Sequence, residues 1–550
     1  MSGHFATILR VALFATFAAC SSSSYVDDAD TEVAKILDDA HRRTLGEREA
    51  WVIRPTEEAP KAAESPSPAM PTELVKAAAA EDRAGNAPAP SSSEPVPQPV
   101  PPPSDVYDLP RALATAVTQN RGFLARREGL YRDGLSYSLT RFQFGPQFAA
   151  AISYLWPHAE NGAESHQTSA TASASQILPT GGTLALTGGL DASWPFGPGS
   201  GDAAYGSNAA ISLTQPLLRG FGYEVSHEAL TQAERELTYR IRDFEDFREG
   251  FSIEVAQRFF ALTSQKQTLA NEDRNYEAAV FDREKAEALL RVGRYSEIEV
   301  FRARRREIDA KDQLINAQAA YDRAIDEFKI FLGLPTQARI ALADVEPPYL
   351  PVRFEVSSAV QAALHNRLDL ITERQRVEDV ERGLRIAENS LLPDLSLVAS
   401  YGVGAQAGDL GEIAPDEWNS SIGLSMAIPL QQKSERNNYR SALIAAEQAR
   451  RELKLREDQL DLDIRDSVRS LKSLEERIVL QTDQIEHERR ALTVTEIRAE
   501  SSNRDMLEAR QALFSAQNAL IELKVQHFVA RLKLMKDMGL FFVDDRGAWR

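Results

Sequence analysis

Two periods alternate along this chain. From Tyr223 the apolar residues recur every seven positions, at Leu230, Leu237, Phe244 and Phe251, and a four-residue step restarts the stripe at Val255, Leu262, Leu269, Tyr276 and, past Arg283, Leu290. A second stretch repeats this with Leu453, Leu460 and Leu474, then a four-residue step to Ile478, Ile485 and Leu492. Heptads broken by one stutter describe a long helix packed in coiled-coil fashion and locally untwisted. A helix over 223–292 would be about 105 Å long. Each long helix is expected to reverse at a short break, 292–296 and 501–503, into a return helix that also steps by seven, most clearly at Leu507, Phe514, Ile521, Phe528 and Met535. The return helices end at Gly333 and Gly539, where glycine can take the left-handed cap conformation.

Elsewhere the period is two. Phe148, Ala150, Ile152 and Tyr154 alternate with Gln147, Ala149, Ala151 and Ser153; Leu395, Leu397, Ala399 and Tyr401 alternate with Ser396, Val398, Ser400 and Gly402. Trp418, Ile422, Leu424, Met426 and Ile428 likewise oppose Asn419, Ser421, Gly423, Ser425 and Ala427. Apolar on one side and small or polar on the other, over about ten residues, is the pattern of a transmembrane β-barrel strand. An extra pair, SATASASQIL and TLALTGGL, is joined by Pro179-Thr180-Gly181-Gly182, a good turn sequence.

These elements occur twice. Asn120 and Asn366 lie 246 apart, Pro146 and Pro393 lie 247 apart, Pro216 and Pro429 lie 213 apart, and Gly333 and Gly539 lie 206 apart. The second copy is thus 34 residues shorter between its prolines and 7 shorter afterwards. The first deletion has the size of a hairpin; the second is two helical turns, which keeps a helix face in register.

Composition narrows the function classes. The 550 residues are 43% hydrophobic and 26% charged, with net charge −18 and one cysteine. A single cysteine removes any disulfide framework and any zinc site built on two cysteines. The eight histidines never fall three to five residues apart, so no helix or turn presents two of them as metal ligands. The acidic balance argues against nucleic acid, whose binders neutralise phosphates with Lys and Arg. Mean hydropathy is −0.34 and no apolar run reaches 18 residues, which excludes a polytopic helical membrane protein but not a barrel. No phosphate-binding loop, catalytic triad or metal site is present, so no catalytic residue or cofactor is expected.

Residues 1–20, MSGHFATILRVALFATFAAC, have the layout of a secretory signal. Their end, Phe17-Ala18-Ala19-Cys20, resembles the lipobox of bacterial lipoproteins, with Cys20 lipidated and Ser21 directing the chain to the outer membrane. Residues 21–105 hold 13 of the 27 prolines and are expected to form a disordered tether, with a short helix only at 31–51, holding the body at a distance from its anchor.

The combination of QPLLRGFG and IPLQQKSERN after strands, VGRYSEIEVFRARR at a helix reversal, and LGL or MGL at the repeat ends resembles the TolC-type outer-membrane efflux proteins. The resemblance covers 106–541. It implies an α+β membrane protein: a duplicated helix, β-hairpin and long-helix repeat forming a trimeric transmembrane β-barrel continued by a periplasmic α-helical coiled-coil tunnel. The first repeat is expected over 106–335 (strands 147–215, long helix 223–292, return helix 296–332). A crossover linker follows at 336–356. The second repeat covers 357–541 (strands 394–428, long helix 434–498, return helix 505–538), with a tail at 542–550.

The family's four strands per chain leave the extra hairpin at 167–190 with two readings: it projects outside the membrane, the favoured one, or it enlarges the barrel to six strands per chain. Asp505 and Glu508 stand where the family carries an acidic constriction ring, with Glu299 and Arg302 as the first copy's equivalents. Both acids also suit a solvated helix start, stabilised by its dipole. The basic run Arg302, Arg304, Arg305 and Arg306 is a candidate partner for them across the tip. The adaptor-docking tip maps to Gly293, Arg294, Tyr295, Ser296, Glu299 and Val300. The implied partners are two further copies in a homotrimer, a periplasmic adaptor, an inner-membrane pump and outer-membrane lipid. The competing readings are the adaptor itself, which would show one helical hairpin flanked by lipoyl-like halves, and a soluble structural coiled coil, which leaves the period-two segments unexplained.

Overall fold

The computed structural model describes residues 22–46, 105–156, 164–196, 202–351, 355–407, 417–497 and 503–549. The signal segment with Cys20, and the proline-rich stretch 47–104, lie outside them. After helix α1 (Ser22–Leu45) and strand β1 (Asp105–Tyr107), the first repeat runs α2 (Leu109–Gln119), α3 (Arg121–Gln143), β2 (Gln147–Leu155), β3 (Glu164–Ile177), β4 (Thr183–Phe196), β5 (Ala204–Pro216), α4 (Tyr223–Ser226), α5 (Glu228–Arg291) and α6 (Glu297–Leu332). Strand β6 (Ile340–Leu342) precedes the second repeat: α7 (Val356–Asn366), α8 (Leu368–Asn389), β7 (Asp394–Ala407), β8 (Glu417–Ala427), α9 (Lys433–Ile497) and α10 (Asn503–Asp537).

The heptad stretches are long helices, α5 with 64 residues and α9 with 65, each about 96 Å or a little more at 1.5 Å per residue. Leu237, Phe244, Phe251, Val255 and Leu262 are buried, as are Leu460, Leu474 and Ile478. The period-two stretches form one antiparallel sheet of six strands in the order β2-β3-β4-β5-β7-β8. The hairpin β3–β4 is therefore part of the sheet, paired to β2 over 167–175 on one side and to β5 over 183–193 on the other. Fourteen register pairs join β3 to β4, and both outer neighbours continue the ladder, so the hairpin does not stand apart from the sheet.

The main core lies where the two repeats meet below the sheet. Phe123 packs on Phe251 at 5.1 Å between ring centroids, Phe251 on Phe331 at 5.6 Å, and Phe260 on Phe528 at 4.9 Å. The crossover joins this region through β6, which pairs in parallel with β1. The tail folds back onto it too: Phe541 is fully buried, Trp549 packs against Phe541 and Phe528, and Arg248 donates to the carbonyls of Val543 and Asp544.

Charged side chains stitch α5 to α8 between this core and the sheet. Asp379 accepts from Arg235 at 2.8 Å and from Tyr239 at 2.5 Å, and Arg382 reaches Glu228 at 2.7 Å. Such pairs cost desolvation, and their value lies in fixing which helices meet.

Helix α1 replaces the first part of the expected tether. Val33, Ile36, Leu37 and Leu45 enter the main core, Tyr131 donates to Asp30, and Arg43 pairs with Glu234 at 3.1 Å. A Cβ on Gly134 would lie 2.9 Å from Val33 Cγ1, so that glycine admits the helix. A lipid on Cys20 would then sit two residues from a docked helix, not at the end of a long tether.

The duplication landmarks explain themselves as contacts. Gly333 has φ +84° and its missing Cβ would fall 2.1 Å from the Gln119 carbonyl oxygen; Gly539 has φ +67° and its Cβ would fall 2.8–2.9 Å from Asn366. In each repeat the return helix thus ends against the break between the two short helices, and the Asn120 amide donates to the Phe331 carbonyl at 2.5 Å. Gly333→Ala meets both an unfavourable φ, about 1–3 kcal/mol, and overpacking, about 1–3 kcal/mol. It is expected to lower the unfolding midpoint in denaturant clearly, whereas the same change at Gly383, which has open space around it, should leave the midpoint within experimental error or raise it.

Candidate channel wall and gate

Register pairs place side chains on common faces of the sheet. One row runs Phe148, Ala174, Leu186, Ile211, Tyr401 and Ser420; the adjacent residues on the other face run Ala149, Ser173, Thr187, Ala210, Gly402 and Asn419. The first face carries the large apolar residues, including Ile152, Leu190, Ile422 and Leu424, all exposed in the single chain. The other is built mostly from Ala, Ser, Thr, Gly and Asn, with hydroxyls bonded across it, such as Ser153 with Ser169 at 2.7 Å and Ser400 with Ser421 at 2.8 Å. No Lys or Arg occurs in any of the six strands.

An aromatic band closes the apolar face at the end far from the helices. His166 packs against Tyr154 and Trp156, and Trp194 donates to the Tyr205 hydroxyl at 3.0 Å. Amphipathic rings at one level mark a membrane–water interface. Among the described residues no helix is long and apolar enough to cross a membrane.

At the opposite end of the long helices, α5 turns into α6 through a helix-ending motif. Gly293 has φ +71°, its N–H donates to the Leu290 carbonyl, and the Arg294 N–H donates to the Leu289 carbonyl, both at 2.9 Å. This double bond pattern satisfies the last carbonyls of α5. Ser296 starts α6, with its backbone N–H donating to the Glu299 carboxylate at 2.8 Å. Of the sequence-derived tip residues, Gly293, Arg294 and Ser296 are exposed and Tyr295, Glu299 and Val300 half-buried. Sequence reading missed Val292, Ile298 and Phe301, which are 62–68% exposed around the same turn, the latter two in the first turns of α6.

The corresponding reversal of the second repeat, 498–502, lies outside the described residues, as does the Asp505 side chain. Asp505 and Glu508 both fall in the first turns of α10. Glu508 is exposed and its charge acts on Arg306. Arg306 also faces Asp282, a carboxylate with 2% exposure that Arg510 approaches at 3.5 Å. Burial raises the Asp282 pKa, against the pull of Arg510, Lys285 and Arg306. Of the basic run, Arg306 alone is shown acting on these acids; Arg305 points to Asp309 of its own helix at 3.9 Å. The start of α10 is therefore latched to the first repeat through Asp282.

With the geometry in place, the comparisons with known proteins define the class. The family model for outer membrane efflux proteins matches residues 359–540, from α7 through α10; the first repeat, with its extra hairpin, lies outside that match. No curated protein matches the chain by sequence. Among solved structures the chain is similar to CusC, described for its transmembrane channel formation (TM-score 0.57, 15% identity, 82% of this chain and 99% of that one). It is also similar to the outer membrane protein VceC of Vibrio cholerae (0.58, 16%, 78% and 96%) and to the CmeC outer membrane channel of Campylobacter jejuni (0.58, 14%, 83% and 94%). The fold is that of the outer-membrane channels. The match of the second repeat to the outer membrane efflux protein model agrees with the resemblance read from the sequence.

The latch makes a pH-dependent prediction. Arg510→Ala leaves Asp282 buried without its nearest cation, so amide exchange across 506–516 should quicken at neutral pH. A raised folded-state pKa means that the penalty is present when Asp282 is ionised and fades as pH falls through that pKa. The difference from the wild-type chain should therefore shrink on acidification; a difference that grows towards acid pH overturns the latch.

Proposed function

We propose that the chain is the outer-membrane exit duct of a tripartite efflux or secretion system, working passively while an inner-membrane pump supplies the energy through a periplasmic adaptor. The observation that carries this reading is the continuity of one molecule: a sheet with an apolar and a small-polar face passes directly into helices about 96 Å long, enough to reach far into the periplasm. The apolar face meets lipid and the small-polar face lines the lumen. A single sheet leaves β2 and β8 with unpaired edges, which hydrocarbon does not tolerate. Three copies closing edge to edge remove them, which favours the homotrimer. The adaptor alternative fits poorly, since two helical hairpins hang from one membrane-type sheet.

The tip at 292–301 is the adaptor-docking element, its exposed Val292, Ile298 and Phe301 supplying apolar contacts around the Gly293 turn. Asp505 and Glu508 form the acidic gate, six carboxylates about one axis in the trimer, favouring cations. Cys20 is the lipid-anchored residue that holds the chain at outer-membrane lipid.

Fractionation tests the reading directly. The protein should appear in the outer membrane and leave it as a three-chain species in detergent; recovery from the inner membrane or as a soluble protein overturns the duct. In planar bilayers, Asp505→Asn with Glu508→Gln should reduce cation selectivity, and an unchanged reversal potential sinks the gate assignment. Cys20→Ala should abolish labelling by radioactive palmitate, with labelling retained if another site carries the lipid.

A further inference from the structure

The hairpin β3–β4 has a use that a four-stranded unit does not need. We infer that it is barrel wall, and that the assembled duct has an eighteen-stranded barrel with an open lumen wide enough for bulky water-soluble cargo. This rests on the trimeric duct proposed above and goes beyond it in naming the pore's size class.

Three observations carry the inference. First, the hairpin shares both faces of the wall. Leu184, Leu186 and Leu190 of β4 lie in register with Leu213, Ile211 and Ser207 on the apolar side, while Ser173 and Thr187 lie in the small-polar rows. A hairpin standing in water has no reason to keep the leucine row of β4, flanked by Ala170, Ala172 and Ala174 of β3, on the apolar side of its neighbours.

Second, its two ends stand at the levels that a membrane-spanning hairpin requires. His166 and Trp194 join the aromatic band at the far end. The turn at 179–182 is bonded into the junction between sheet and helices: Thr180 exchanges hydrogen bonds with the Gln215 side chain at 2.7 and 3.0 Å, and its carbonyl accepts from the Gly222 N–H at 3.1 Å. A Cβ on Gly181 would fall 2.3 Å from the Gly220 carbonyl oxygen, so the turn is seated against that junction. The hairpin therefore runs the full height of the sheet.

Third, among the described residues nothing on the inner face fills a wide lumen. Its rows consist of small residues such as Ala151, Thr171, Gly189, Ala210, Ser400 and Gly423, unlike the packed interiors of small barrels. At a strand spacing near 4.8 Å and a tilt near 40°, twelve strands close a barrel about 24 Å across its backbone and eighteen about 36 Å. Barrels of sixteen to eighteen strands leave an aqueous channel. The barrel is then wider than the passage that twelve-stranded ducts offer, and size selection falls to the helical tunnel.

The test uses the full chain in its membrane. With single cysteines placed in the hairpin and the parent chain as background, Thr187→Cys should react with a charged, membrane-impermeant maleimide in outer-membrane vesicles. Leu186→Cys should react only after denaturation in SDS. Equal reaction of both before denaturation puts the hairpin in water and overturns the inference. Top views of the detergent-extracted protein by electron cryomicroscopy should show a ring about 36 Å across. Removal of 164–201, which leaves β2 to pair with β5, should shrink it to about 24 Å. A ring of the smaller size in the intact protein, or closure by two chains, overturns eighteen strands while leaving the duct standing; absence from the outer membrane overturns the duct itself.

Discussion

Backbone amides in hydrocarbon have no water to turn to, and every other property of this molecule follows from how its chain meets that condition. A six-stranded sheet pairs its interior strands and leaves two edges. Those edges fix the minimal functional unit as more than one chain, fix the curvature that copies must share, and fix the lining as whichever side chains alternate away from lipid. The helices inherit their spacing from the same constraint, because β5 and β8 lead into the long helices α5 and α9 while β2 and β7 follow the shorter α3 and α8. β3 and β4 alone are joined by a turn at the helical side, and that turn had to be seated somewhere. It rests on the junction near Gly220 and Gln215.

Where the two repeats meet, packing does what hydrogen bonding does in the sheet. Phe251 bridges Phe123 and Phe331 of its own repeat, and Phe260 reaches Phe528 of the other. Ion pairs from α5 to α8 then set the mutual position of the two helical layers. In a structure whose helices run so far, a small error at this girdle would be magnified at the tip, so the most rigid part is placed between membrane and tunnel.

Much of this was legible in the sequence because both signals are periodic. Seven-residue spacing located α5, α6, α9 and α10 to within a few residues, and period two located the strands. The paired landmarks Asn120/Asn366 and Gly333/Gly539 were visible as repeats, though not as the contacts that preserve them; that needs the φ of each glycine and the carbonyl facing it. The hairpin's place in the sheet was hard to read because β3, rich in Ala, Ser and Thr, has little amphipathic contrast of its own. Its neighbours supply the contrast through register. Helix α1 was underestimated for a related reason: composition averaged over 21–105 is dominated by prolines beyond residue 54, which hides the apolar spacing of Val33, Ile36 and Leu37. At the tip, the glycine turn was legible, while the latch between Asp282, Arg306 and Arg510 joins residues more than 200 positions apart and leaves no local trace.

The position of the tail has a consequence for how the molecule comes into being. Gly547 lies against Leu113 and Val117, and Phe541 and Trp549 complete a core that also contains Tyr107 and Phe123. Residues 541–549 pack on residues more than 400 positions earlier in the chain. Contacts of such sequence separation are slow to form, and until they do the aromatic girdle stays open. A folding intermediate in which the tail has not yet docked therefore carries the main apolar cluster unfinished.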